Sequence, residues 1–312
     1  ATQVAVIGAG NVALDVTRML AKNADDLLST EIPDHVHRAL AASRITDVHV
    51  FARRGPAEAA FSPFELRELG QVRGVDIVVD PADMIFDRSS EALIASSNQR
   101  RIVAHTLQEW GQRDPSTFTA SRRVHLHFMQ APVRIDGRTR VEGLTVERTR
   151  HLVNGTVEGT GHLLHYPVSQ VYRAVGYASS AVPGVPFDPI TRRVPHNNGR
   201  VLAEDGTPIA GLYVSGWIKR GPIGLIGSTK SDSLQTVTQL ADDFSARTQR
   251  GEDQDPLPAL LADVETSHIG WDGWLRVDAH ERALGTDRGR QRIKVFEREQ
   301  LIAIALNHPK SA

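Results

Sequence analysis

TQVAVIGAGNVALDVTRML, residues 2–20, is the stretch whose reading decides the fold. Thr2 to Ile7 form an apolar run of the kind buried in a parallel sheet, and Gly8 and Gly10 punctuate a turn. Val12, Val16, Met19 and Leu20 then recur at helical spacing. Strand, glycine turn and helix together place Gly8-Ala9-Gly10-Asn11-Val12-Ala13 as a G-x-G-x-x-A element. In such an element the first glycine allows the tight turn, and the second lets backbone approach a pyrophosphate. The small third residue packs helix on strand. The helix N-terminus offers unpaired N–H groups and partial positive charge to phosphates. A dinucleotide is the expected ligand.

The end of the next strand selects which one. DVHVFARR, residues 47–54, is dense in Val and Phe and ends on Arg53-Arg54, followed by Gly55. NAD and FAD sites carry Asp or Glu here for the ribose hydroxyls. Two guanidiniums instead match the dianionic 2′-phosphate of NADP. The alternative is a pair of solvated arginines at a loop start. The separation from Gly10 is about twice the usual ~20 residues, so a helical insertion at 23–44 has to be accommodated.

Working outward, a polar helical stretch from Asp25 to Ala42 is broken at Pro33. Ser62-Pro63-Phe64-Glu65 opens a short helix as a capping box, VDIVVD (75–80) is a third strand, and 89–112 is a helix. From 122 to 153 short segments alternate polar and apolar residues, with Asp136-Gly137 as a hairpin turn. An antiparallel meander inserted among parallel strands is the expectation. SQVYRAVGY (169–177) follows as another buried strand, and the proline-bearing stretch 179–211 is where a domain boundary fits. GLYVSGW (211–217) reads as a strand, and TKSDSLQTVTQLADDF (229–244) as a helix opened by Thr229. The remainder reads as helical, split by Pro256, Pro258 and HIGWDGW.

Composition narrows the chemistry. A chain of 312 residues suggests two domains, and 36 basic against 37 acidic residues give no polyelectrolyte half and no reason to expect nucleic acid. With no cysteine, the chain holds no redox disulfide, thiol nucleophile or Cys-ligated zinc or iron–sulfur cluster. No apolar run approaches the ~20 residues of a membrane span, and a soluble, cytoplasmic protein is expected. His125 and His127 share one face of a strand, but no third ligand lies at a useful spacing, so no metal site is expected.

Two further features bear on a ligand. Glu65 is fully accounted for as the third residue of the capping box, and spacing alone cannot separate that from a contact with the nicotinamide carboxamide. In GWIKRGPIGLIGSTKSDS (216–233), glycines at 221, 224 and 227 precede a helix, with Trp217 just before them. That arrangement suits a flavin edge or a nicotinamide; the alternative is a glycine loop made for packing.

Taken together, VAVIGAGNVALDV, FARRGPAEAAF with ELREL, VYRAVGY with PGVPFD, GWIKRGPIGLIGSTKSDSLQTV, WLRVDAHERALG and GRQRIKV resemble the adrenodoxin-reductase-like ferredoxin–NADP reductases, the bacterial (mycobacterial) type above all. The resemblance covers most of the chain. It implies an α/β fold of the disulfide-reductase-like two-dinucleotide-binding architecture. A Rossmann-like NADP-binding domain with the meander would occupy 1–185, and the C-terminal part of an FAD-binding domain 186–312. It implies that Gly8, Ala9, Gly10, Asn11 and Val12 hold the pyrophosphate, Arg53 and Arg54 the 2′-phosphate, and that Glu65 lies near the nicotinamide. Trp217, Gly224, Leu225 and Ile226 would line the flavin. The implied cofactors are NADP and FAD, and the implied partner is a ferredoxin-type iron–sulfur protein. Members of this family carry two dinucleotide fingerprints, whereas one is present here and its arginines mark it as the NADP one. The N-terminal part of the FAD domain is therefore expected to be missing from this sequence. Competing readings are a glutamate-synthase-type reductase subunit, disfavoured by the lack of cysteine, and an NADP-binding sensor or scaffold without turnover.

Overall fold

Val4, Ala5 and Val6 are wholly withdrawn from solvent, as an apolar run covered on both faces must be. They belong to β1 (Gln3–Ile7), which lies in an all-parallel sheet with β2 (Asp47–Phe51), β3 (Val75–Val79), β4 (Arg122–His127) and β8 (Val171–Arg173). The order is β3-β4-β2-β1-β8. β2 lies on one side of β1 and β8 on the other, and such sheets bind ligands outside the carboxyl ends of their strands. The structure is a computed structural model that describes residues 2–152, 156–222, 226–246 and 268–306. It comprises two compact units, Ala1–Val175 with Thr266–Ala312, and Gly176–Glu265.

In the first unit, helices cover one face of the sheet. α1 (Asn11–Ala21) buries Ala13, Leu14, Thr17 and Ala21. This stripe is rotated from the one expected: Val16 and Leu20 pack at its margin, while Val12 and Met19 are exposed. The small residues face inward because the helix lies close against β1. The insertion between α1 and β2 is a 3₁₀ turn (Ala24–Leu27) followed by α2 (Asp34–Ala41), the break falling at Pro33 as expected. α3 (Pro63–Gly70) precedes β3, and the single helix expected over 89–112 is two, α4 (Arg88–Ala95) and α5 (Asn98–Gly111). Ser96 and Ser97 separate them; such side chains compete for backbone hydrogen bonds, and Ser96 Oγ donates to the Leu93 carbonyl at 2.6 Å.

The other face is covered by the meander β5 (Gln130–Asp136), β6 (Gly143–His151) and β7 (Val157–Tyr166), which pair antiparallel in that order. Leu144 and Val146 of β6 pack on Ala5, Ile7 and Phe51, each such burial contributing about 1.5–3 kcal/mol. The expected hairpin at Asp136-Gly137 begins there, with Gly137 at φ +117°, but closes only where the Glu142 N–H reaches the Asp136 carbonyl. The strand expected over 169–177 is confined to β8, half-exposed at the sheet edge.

The helical insertion explains its own length. Arg290 donates to the carbonyls of Thr30 and Ile32 at 2.9 and 2.5 Å, and Arg292 lies 3.1 Å from Glu31. Arg292 and Lys294 also converge on Glu281, which is almost fully buried, at 3.2 and 2.6 Å. Glu281 lies in α8 (Trp271–Thr286), which together with α9 (Arg298–Ala305) packs within this unit. His268–Gly270 are non-helical and Trp271 opens α8, while Pro256 and Pro258 lie outside the described residues.

The second unit is built on the antiparallel sheet β9 (His196–Asn197), β10 (Arg200–Leu202) and β11 (Pro208–Tyr213), followed by α6 (Trp217–Arg220) and α7 (Ile226–Ala246). α7 starts ahead of Thr229, the expected opener. Its inner face is tied down by Arg200, which pairs with Asp243 at 2.7 Å.

On the meander face, β2 and β4 place His49 beside His125 and His127. His49 Nδ1 lies 3.0 Å from His127 Nε2, and its ring stacks on His125 at 4.5 Å. Burial, reinforced by His125, lowers the His49 pKa from 6.5 to about 4. The folded state thus binds fewer protons than the unfolded one. Stability present above pH 6.5 is therefore lost as pH falls toward about 4, on the order of 2–3 kcal/mol. Chemical denaturation across this range is expected to show that slope, and His49→Gln to reduce it while leaving the share of His127, whose pKa burial lowers to about 3.

Candidate functional site

The turn after β1 is shaped by backbone crowding. Gly8 sits at φ +139°, its N–H donates to the Phe51 carbonyl at 3.0 Å, and a Cβ there would lie 2.2 Å from the Ala174 carbonyl oxygen. At Gly10, by contrast, a Cβ would meet nothing within 4 Å. Gly10 is the N-cap of α1; no side chain caps that end, and the first turn holds no acid. The N-terminus of α1 is left open to an anion. The Asn11 side chain points elsewhere, accepting the Ser62 N–H at 2.7 Å. The Ala9 carbonyl accepts the Ala60 N–H at 2.7 Å, so both residues tie the turn to the chain leading into α3.

Arg53 and Arg54 lie on the same carboxyl edge of the sheet, both exposed. Thr149 Oγ1 of β6 donates to the Arg53 carbonyl at 2.7 Å, and the Met129 N–H to the Arg54 carbonyl at 3.1 Å. The backbone is held while the guanidiniums carry no ion pair among the described residues.

Glu65 departs from the capping-box reading in one respect. Ser62 Oγ accepts the Glu65 N–H at 3.3 Å, but the reciprocal Ser62 N–H is taken by Asn11. The box is half-made, and the Glu65 side chain is released from it. Its Oε2 is buried without a hydrogen bond, 3.7 Å from Arg18 Nη2 of α1. Arg18 in turn is engaged by Glu68 and, at 2.7 Å, by Asp15.

In the second unit, Trp217 begins α6 between two left-handed glycines, Gly216 at φ +80° and Gly221 at φ +87°. It remains 45% exposed, with its ring 5.6 Å from that of Tyr177. The residue that organises this turn escaped the sequence reading: Asp232 of α7. Its carboxylate accepts the Gly216 N–H at 2.7 Å and pairs with Lys219 at 3.1 Å and Arg220 at 2.9 Å. Burial would raise the Asp232 pKa, but the Gly216 N–H and the Lys219 charge outweigh it and hold the carboxyl below its usual value. Lys219 is only 2% exposed and also donates to Gln235 and Thr236. Gly224 and Leu225 lie outside the described residues, and Ile226 is described only as the first residue of α7.

The sheet register brings His49 to His125 and His127, a neighbour that spacing could not reveal. Even so, no group of His, Asp or Glu suited to a metal ion occurs among the described residues. No helix among them is long and apolar enough to cross a membrane.

No family model matches the chain. The NADPH-ferredoxin reductase FprA of Mycobacterium tuberculosis is 35% identical over 314 residues, covering 96% of this chain and 67% of the relative. The solved structure of that protein in complex with NADPH superposes with a TM-score of 0.85 at 33% identity, over 98% of this chain and 68% of that one. The chain belongs to the adrenodoxin-reductase-like ferredoxin–NADP reductase family. A probable ferredoxin/ferredoxin–NADP reductase of Mycobacterium bovis is 36% identical over 317 residues, which is 99% of this chain and 52% of the relative. The chain thus spans from about half to about two thirds of the length of these family members. The two-dinucleotide-binding reductase fold of the family accounts for the parallel sheet, the meander and the second unit.

Gly8→Ala tests the crowding at the turn. Both the φ and the clash with Ala174 oppose it, and a loss of about 3 kcal/mol or more is expected in urea denaturation.

Proposed function

We propose that residues 1–185 are the NADP-binding domain, and residues 186–312 the C-terminal part of the FAD-binding domain, of a ferredoxin–NADP reductase. The observation that carries this reading is Arg53-Arg54, exposed and without a carboxylate partner among the described residues, on the edge that bears the uncapped N-terminus of α1. The cradle fits a dinucleotide. Gly8 allows the turn, and Gly10 leaves room for phosphate where a side chain would intrude. The backbone N–H groups of Gly10, Asn11 and Val12 bind the pyrophosphate. The two guanidiniums take the 2′-phosphate by forked, charge-assisted hydrogen bonds. Glu65, released from the capping box, supplies a carboxylate acceptor for the nicotinamide carboxamide. Trp217, with Gly224, Leu225 and Ile226, lines the flavin, and Asp232 fixes the turn that presents Trp217.

When bound, NADPH supplies a hydride that FAD accepts and hands on as single electrons. The chain's own residues contribute position: they anchor the phosphate end so that the ring end is held in register, and no side-chain acid or base is required. A ferredoxin-type iron–sulfur protein is the proposed electron partner, in keeping with the names of the relatives, and the cytoplasm the proposed setting. Nucleic acid and membrane have no place in this reading. A silent NADP sensor would have no use for the exposed Trp217–Tyr177 pair, which favours the reductase.

Two measurements test this. Arg53→Ala with Arg54→Ala is expected to raise the Kd for NADPH, followed by tryptophan fluorescence, on the order of 100-fold while changing NADH by less than about threefold. Equal losses for both would remove the 2′-phosphate assignment. Because the one fingerprint belongs to NADP, this chain mixed with FAD and gel-filtered is expected to keep little flavin absorbance. Stoichiometric retention would contradict the division of domains.

A further inference from the structure

β6 lies outside the dinucleotide sheet, yet two side chains on one of its faces reach the segment after β2. Thr149 holds the Arg53 carbonyl at 2.7 Å. His151, two residues on and so on the same face, reaches the 3₁₀ turn Pro56–Glu58 that follows the arginines. His151 Nε2 is 3.0 Å from Glu58 Oε1, and Nδ1 is 3.5 Å from Asp87 Oδ2 at the N-cap of α4. The His151 and Glu58 side chains are only 15% and 16% exposed. Glu58 Oε2 and His151 Nε2 are both buried without an aligned hydrogen bond, so the contact is one of proximity. The Glu58 carboxylate is folded back beneath the residue following Arg54: a Cβ on Gly55 would lie 3.2 Å from Glu58 Oε2 and 3.5 Å from His151 Cε1. The turn's other support, Arg100 of α5, is occupied with the Ala57 carbonyl at 3.0 Å.

Glu58 is four residues from Arg54, and Asp87 flanks it. A carboxylate released here would compete for the exposed guanidiniums of Arg53 and Arg54, and a ligand phosphate would then have to displace it. We propose that His151 is a positioning residue for cofactor choice: it holds Glu58 away from Arg53 and Arg54 and so keeps both arginines open to a 2′-phosphate, while Asp87 is already fixed as the N-cap of α4 by Ser89 and Ser90. The meander thus contributes specificity to a site built on another sheet, Thr149 fixing the arginine backbone and His151 removing its competitor. The inference rests on the NADP reading of this site.

The test is titration calorimetry of this chain with 2′,5′-ADP and with 5′-ADP, which differ in the 2′-phosphate. His151→Ala is expected to weaken 2′,5′-ADP about fivefold, the worth of an exposed carboxylate–guanidinium pair that the phosphate would have to displace, and to leave 5′-ADP unchanged. Adding Glu58→Gln to that variant is expected to restore the affinity, because the competing charge is gone. Glu58→Gln alone is expected to bind 2′,5′-ADP as tightly as the unaltered chain or tighter, and this arm holds even if His151→Ala folds poorly. Equal weakening of both ligands, no weakening, absence of rescue, or weaker binding by Glu58→Gln alone would each overturn the proposal. Equal affinity of the unaltered chain for the two ligands would instead strike the NADP reading itself, and this inference with it.

Discussion

At Gly8 there is room for a hydrogen and nothing larger. The carbonyl of Ala174, just beyond the edge strand β8, occupies the space a methyl would need. That crowding sets the site. It lies at the carboxyl end of β1, where β8 pairs beside that strand. It also turns the backbone so that the N-terminus of α1 opens outward. Gly10, with free space above it, is the complement: one glycine is required by protein packed against it, the other by the room it leaves for a ligand.

Much of this was legible in the sequence because it is local. A glycine pair between an apolar run and a helix specifies a turn whatever lies around it, and Arg53-Arg54 at a strand end carries its charge into any fold. The meander was readable over β5 and β6, since alternation with a period of two is a property of the segment itself, but 122–127 joined the parallel sheet as β4 and the third meander strand, β7, lies beyond the expected 153. The departures have physical causes of the same local kind. The buried stripe of α1 is rotated toward Ala13 and Thr17 because close packing on β1 selects small residues over large ones. The helix over 89–112 divides at Ser96-Ser97, where side-chain oxygens compete with the helical ladder.

What escaped the sequence was pairing at long range. Asp232 and Lys219 are thirteen positions apart and look like ordinary surface charges. Only the return of α7 over the α6 turn makes them a buried pair organising Trp217. The reciprocal half of the capping box at Ser62 was lost to Asn11, far along the chain, and nothing in the spacing of Ser62 and Glu65 could show that a competitor existed. His49 illustrates the same limit: the β2–β4 register, absent from any single-strand pattern, stacks it on His125.

The two faces of the parallel sheet carry different duties, and charge is what separates them. The helical face is apolar throughout its core and carries the uncapped N-terminus of α1. The meander face mixes Leu144 and Val146 with a stack of imidazoles, and its strand β6 ends on a histidine lying among carboxylates. A polar layer of this kind is costly to bury unless each group has a partner. Asp83 shows the balance: burial raises its pKa, yet Arg148 at 2.7 Å and the Phe128 N–H at 3.1 Å hold it in place against the β4–β5 turn. Met129, in that turn, binds the Arg54 carbonyl. The same polar layer that limits stability in acid therefore secures the backbone of the arginines from below.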